Sequence, residues 1–332
     1  MKAMLLRETA LISQNPAPLS YQETPEPNVG AGEVLIRVTA CGVCHTELDE
    51  IEGRMRPPHL PIVLGHQTVG ILEQSGQRVG MAWIASACGQ CEFCKTGREN
   101  LCAEFKATGR DIDGGYAEYM KARADFVHPI PDSLSDSEAA PLLCAGAIGY
   151  RSLRLSNLQD GQSLGLMGFG GSNHLVLKLA KYKFPKSDIF VFSRNAKERE
   201  FALSLGAAWV GTIDQSPPEA LDAVIDTTPV WGPINEALKC LRASGRLVVN
   251  AIRKEENDKA VLLQLNYPSQ LWMEKEIKSV ANVTRDDVRE FLQIVARAGI
   301  KPEYQEYELK DANLALVEMK QGKIRGSKVL RM

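Results

Sequence analysis

The stretch Ser163-Leu-Gly-Leu-Met167-Gly168-Phe-Gly170-Gly171-Ser172-Asn173 decides the fold. A short apolar run of buried-strand type enters a glycine turn, and an apolar helix pattern follows from about Ser172 to Lys183. The glycines Gly168, Gly170 and Gly171 permit a tight turn. With Ser172 they let backbone N–H groups at the helix N-terminus approach a pyrophosphate. A G-x-G pattern is weak by itself, and its place between strand and helix is what points to a dinucleotide. Asn173 stands where that fingerprint usually has Gly or Ala, so slightly looser helix–strand packing is expected.

Outward from this turn the alternation continues. Ile189–Phe192 reads as a strand, Ala196–Leu205 as a helix and Trp209-Val210 as a strand. Ala223–Asp226, a helix near Ile234–Leu241 and Arg246–Asn250 extend the series, which predicts a doubly wound parallel sheet over 141–284. On either side the texture changes. Glu33–Thr39, Gln77–Ile84 and Gly115–Met120 are β-rich and set among Pro and Gly, as in an irregular all-β domain over 1–140. Ser135-Asp-Ser-Glu138 is a capping box, Thr284-Arg-Asp-Asp287 caps a helix to about Ala298, and Lys328–Arg331 reads as a strand that rejoins the first domain over 285–332.

The residues after the second strand, Phe192-Ser193-Arg194-Asn195, include no acid to accept hydrogen bonds from ribose hydroxyls. Ser193 can donate to a phosphate and Arg194 can pair with one, so NADP(H) is expected over NAD(H).

Cys88-Gly-Gln-Cys91-Glu-Phe-Cys94 and Cys102 form C-x2-C-x2-C-x7-C, a spacing that brings four thiolates onto one tetrahedral zinc. With no position left for water, that ion is structural. The chain has 332 residues, 44% hydrophobic and 24% charged, with a net charge of −2. Such values suit two globular domains and give no electrostatic footprint for nucleic acid or an anionic membrane. Charge interrupts the apolar start before a signal-peptide core develops, and no run is long enough to span a bilayer. Eight cysteines in such a chain point to metal ligation and a cytoplasmic protein.

Taken in series, Gly42-Val-Cys44-His45-Thr46-Glu47, Gly65-His66-Gln67, the four-cysteine lobe at 88–102, Cys144-Ala-Gly146 and the glycine turn resemble the zinc-dependent medium-chain alcohol dehydrogenases over essentially the whole chain. The resemblance implies an α/β protein: a GroES-like irregular β-barrel catalytic domain from both ends of the chain, with a Rossmann domain inserted. It places Cys44, His66 and Cys144 on a catalytic zinc, hence two zinc ions per chain. One cysteine in an apolar helix is more often core than ligand, but three residues at matching motif positions are not. Thr46 matches the hydroxyl that takes the substrate proton, His45 a pyrophosphate contact, and Glu47 the acid that orients His66. Cys41 and Cys240 match no ligand position.

Four departures stand out. Gln67 replaces the usual acid after the ligand histidine, which makes the zinc more electropositive. Asp49 replaces the histidine that ends the proton relay. Ile148 replaces a threonine near the nicotinamide. Ser327 replaces a phosphate-binding arginine, with Arg325 or Lys328 to compensate. Trp83, five residues before Cys88, matches a bulky pocket residue of enzymes for small primary alcohols, and Ile51 and Ile148 add apolar lining. Aliphatic or benzylic primary alcohols and their aldehydes are the expected substrates, and a homo-oligomer, dimer or tetramer, the expected assembly. A polyol dehydrogenase of the same superfamily would carry a glutamate at the zinc. A non-catalytic NADP(H)-binding sensor would lose ligands or Thr46, and the chain keeps them all.

Overall fold

The computed structural model describes residues 1–323 and 325–332. The chain divides into two units, Met1–Ala147 with Asn282–Met332, and Ile148–Ala281. In the second unit, four-residue strands Leu164–Met167 and Ile189–Phe192 are buried along their whole length, as their unbroken apolar runs require. They belong to a six-stranded parallel sheet in the order Trp209–Gly211, Ile189–Phe192, Leu164–Met167, Leu221–Asp226, Leu241–Val249, Glu276–Ser279. The first strand of this unit, Leu164–Met167, lies inside the sheet and the order reverses beside it, the arrangement of a doubly wound Rossmann domain. One layer of core joins Phe190, Phe192, Val224 and Leu247 to Ile234 and Leu238 of helix Gly232–Cys240.

The expected looseness at Asn173 is replaced by a specific contact. This fully buried amide donates to the carbonyls of Met167 and Gly168 (3.2 and 2.8 Å) and to Thr227 Oγ1 (3.1 Å). It therefore ties the turn to two adjacent strand ends, a role that a glycine could not fill.

In the first unit, the long strand Glu33–Val43 pairs antiparallel with Thr68–Leu72, Tyr119–Arg123 and Ser327–Arg331. Its sheet continues through Arg78–Met81 to Val127–Pro129 on one side and to Tyr304–Glu308 on the other. A smaller sheet orders Leu19–Glu23, Lys2–Leu6 and Ile62–Val63, and the core beneath it collects Met4, Leu6, Leu48, Leu64 and Tyr116 with Leu316 and Met319. This is the GroES-like domain, completed by the tail strand.

Two readings change. Gly115–Met120 is strand only from Tyr119, because Gly114, Gly115 and Tyr116 give their N–H groups to the carbonyls of Val63, Gly65 and Leu64. The first unit also extends past residue 140 and begins again at 282 rather than 285. Leu142–Gly146 is a π-helical turn whose Gly146 lies so near Phe291 that an added Cβ would strike the ring. Thr284 caps the same helix, Arg285–Ala298, that carries Phe291. Among the described residues, no helix is long and apolar enough to cross a membrane.

Candidate functional site

Three chain segments bring Cys44, His66 and Cys144 together. Cys44 directly follows the long strand and caps helix His45–Ile51, where its N–H donates to Glu47 Oε2 at 2.7 Å. His66 is carried alongside because Gly42 N–H donates to the Gln67 carbonyl at 2.9 Å, continuing the strand pairing. Gly65, at φ 97°, makes the preceding bend, and any Cβ there would meet Tyr116. Cys144 comes from the π-helical turn, a local widening that recurs at functional sites. One ligand atom from each of the three lies within 4.8 Å of the others, and Cys144 Sγ is 3.2 Å from His66 Nε2. Two sulfurs and an imidazole nitrogen, with a fourth position open, fit a catalytic zinc.

Electrostatics at this cluster are strongly skewed. A hydrogen bond from Cys144 and then His66 hold Cys44 well below the usual thiol range, while Cys144, as the donor, is pushed well above it. Burial opposes charge on His66, but Glu47 and Cys44 outweigh it and raise the imidazole. Glu47 Oε1 stands 2.6 Å from His66 Nδ1, leaving Nε2 for a metal.

Cys88, Cys91, Cys94 and Cys102 form the second cluster, with sulfurs all within 4.8 Å of one another. Cys91 N–H points at Cys88 Sγ (3.3 Å) and Cys88 N–H at Cys102 Sγ (3.5 Å). Backbone N–H groups of Gln90 and Cys91 lower the Cys88 thiol to about 7, which favours the metal-binding thiolate. No open ligand position remains, as a structural zinc requires.

At the glycine turn, Gly168 has φ 78° and donates its N–H to the Phe192 carbonyl at 2.8 Å. A Cβ on Gly170 would meet nothing within 4 Å, and Ser172 Oγ is buried without a partner. Open space over glycine and an unused hydroxyl at the start of helix Asn173–Lys183 fit a pyrophosphate.

Residues 30–132 match the alcohol dehydrogenase GroES-like domain family. A probable alcohol dehydrogenase, AdhA, of Mycobacterium tuberculosis is 39% identical over 94% of this chain and 92% of its own. An alcohol dehydrogenase of Geobacillus stearothermophilus is 32% identical over 98% and 99%. A solved cinnamyl alcohol dehydrogenase from Sorghum bicolor superposes with TM-score 0.85 at 25% identity, over 99% of this chain and 97% of that one. The chain belongs to the zinc-dependent medium-chain alcohol dehydrogenase family.

In this alcohol dehydrogenase, the other expected residues divide. Thr46 is partly exposed with its Oγ1 3.7 Å from Cys44 Sγ, and His45 is exposed beside it. Gln67 is buried against Gly42. Trp83 is partly buried and tilted on Phe105, with ring centroids 5.2 Å apart. Ile148 opens the second unit, half-buried. Ile51 does not line a pocket: it lies three residues after Leu48 on the inner helix face and packs wholly in the core. Asp49 is a buried ion-pair partner, 2.6 Å from Arg54 Nε. Lys328 is unavailable to replace the missing arginine, because it is buried 2.6 Å from Glu318.

Sequence reasoning missed two acids. Glu50 is buried with neither carboxylate oxygen hydrogen-bonded, and burial then Glu47 push it well above the usual carboxylate range. Glu198 reaches back from helix Ala196–Ser204 to within 2.5 Å of Ser193 Oγ. Its signal was present, because Asn195-Ala-Lys-Glu198 has the spacing of a capping box.

Proposed function

We propose that this dehydrogenase transfers a hydride between NADP(H), favoured over NAD(H), and a small aliphatic or benzylic primary alcohol or its aldehyde. It would act as a cytoplasmic enzyme with two zinc ions per chain. The observation that carries the reading is the convergence of Cys44, His66 and Cys144 on one point, with a thiol-thiol-imidazole donor set.

Bound zinc would polarise the substrate oxygen, and the nicotinamide would exchange the hydride. The chain's own residues orient and move protons. Thr46, in the first turn after Cys44, would present the hydroxyl that relays the alcohol proton, and any exit through Asp49, one helical turn on, would have to pass a carboxylate already paired with Arg54. Glu47 fixes the His66 ring and its tautomer. Trp83 restricts the substrate to unbranched carbon beside the alcohol. Gly168, Gly170, Gly171 and Ser172 would take the pyrophosphate, while Arg194, exposed just past its strand, would take the 2′-phosphate.

A homo-oligomer, dimer or tetramer, is supported by the last strand of the parallel sheet. Glu276–Ser279 is exposed at every residue and flanked by exposed Trp272 and Met273.

The test is an assay of primary, secondary and polyol substrates with each cofactor, alongside zinc analysis. Turnover of small primary alcohols that is lost with one zinc equivalent supports the proposal. Turnover independent of metal overturns it.

A further inference from the structure

The ends of strands Leu164–Met167 and Ile189–Phe192 lie side by side, with Met167 paired to Phe192. The glycine turn leaves the first strand, and Ser193-Arg194-Asn195 leaves the second. In a sheet of this order, the residues just past the second strand meet the adenosine ribose and whatever its 2′ oxygen carries. Groups just past Phe192 are therefore placed to distinguish a ribose diol from a 2′-phosphate.

Ser193 has only one hydroxyl proton, and it is already committed. Its Oγ donates to Glu198 Oε2 at 2.5 Å and accepts from Asn195 N–H at 3.1 Å. The serine is buried, and its carbonyl accepts from Arg199 Nη1 at 2.7 Å, so the group is fixed on three sides. A hydroxyl in that state cannot also donate to a phosphate. The carboxylate holding it would repel a dianionic 2′-phosphate and could accept a hydrogen bond from a ribose hydroxyl. Arg194 is exposed and makes no ion pair among the described residues, whereas Arg199 is engaged with the Ser193 carbonyl, so Arg194 is the cation here available to a phosphate.

We infer that Glu198 is the residue that sets the cofactor ratio. It withholds Ser193 from the 2′-phosphate and offers the ribose diol an acceptor, while Arg194 favours the phosphate. The dehydrogenase consequently accepts both NADP(H) and NAD(H), with a preference kept small by Glu198. This deepens the proposed function and rests on its reading of the second unit as the cofactor domain.

Dissociation constants for NADPH and NADH, measured by the fluorescence of the bound nicotinamide, test it in the full-length protein and in Glu198→Gln and Glu198→Ala. No turnover is needed. Glutamine can still hydrogen-bond Ser193 but carries no charge, so it separates charge from positioning. In both variants the preference for NADPH should rise about tenfold, with NADPH binding tighter and NADH weaker. In Glu198→Gln the NADPH gain should shrink as salt is added. A ratio within twofold of the parent in both variants overturns the inference alone. A shift in Glu198→Ala with Glu198→Gln unchanged also overturns it, because the acid then only positions the serine. If the parent protein binds neither cofactor, the cofactor-domain reading falls too.

Discussion

Glu47 Oε1 lies 2.6 Å from His66 Nδ1, and neither side chain reaches solvent. Through its other oxygen, the same carboxylate receives the N–H of Cys44, so one acid fixes two of the three residues in the open cluster. Glu47→Gln should weaken zinc binding at that cluster by about 10- to 100-fold, as loss of a ligand's orienting partner does elsewhere. Competition with a chromophoric chelator would measure it. The four-cysteine site should hold its ion as before.

Metal content separates the two clusters. The parent chain should hold two zinc ions. Cys144→Ser should hold one and lose turnover while keeping nearly all thermal stability. Cys94→Ser should also hold one, but with a lowered melting temperature, because a closed structural site contributes to folding directly. One zinc in the parent would remove the open cluster from consideration.

The hydroxyl of Thr46 is assigned the proton step. Thr46→Val should lower kcat by about two to four orders of magnitude with little change in KM, and Thr46→Ser should recover most of it. A threonine holding only the helix turn would give a stability loss without the kinetic split.

Two histidines make the fold acid-sensitive. Burial, aided by the charges of Arg289 and Arg285, lowers His128 to about 4, against a weaker contribution from Glu99. Burial also lowers His174 to about 4, despite its contact with the Gly170 carbonyl. The unfolded chain protonates both near the ordinary value of 6.5, so between 6.5 and 4 it binds more protons than the native state. Stability is thus complete above pH 6.5 and falls towards pH 4, by up to about 3 kcal/mol for each histidine. Denaturant melts from pH 7.5 to 4 should show the decline, and His128→Gln should flatten it. A flat profile in the parent would contradict the assignment.

Local chemistry was legible in the sequence wherever spacing carried it. Ile189–Phe192 is a strand over the residues read, and Ser135 and Thr284 each open a capping box. What escaped was any contact made by a long side chain folding back. The residues after Phe192 contain no acid, yet Glu198 returns one from the next helix. Ile51 and Asp49 sit near the ligand Cys44 in sequence, but the helix turns one into the core and the other towards Arg54. The link between the four-cysteine lobe and helix Arg285–Ala298, where Glu99 accepts from Arg285 N–H at 2.9 Å, joins residues 186 apart. Separation of that size leaves no pattern along the chain.

The strand that runs up to Cys44, Glu33–Val43, takes one of its neighbours from Ser327–Arg331, late in the chain. On the ribosome, therefore, the six-stranded unit is fully synthesised while the sheet beside Cys44 still lacks an inner strand. Since domains fold largely as they emerge, the inserted unit can mature first, and the nascent thiols wait longest for their final surroundings. Premature termination just short of the tail would leave the inserted unit intact and the long strand before Cys44 without one of its three partners.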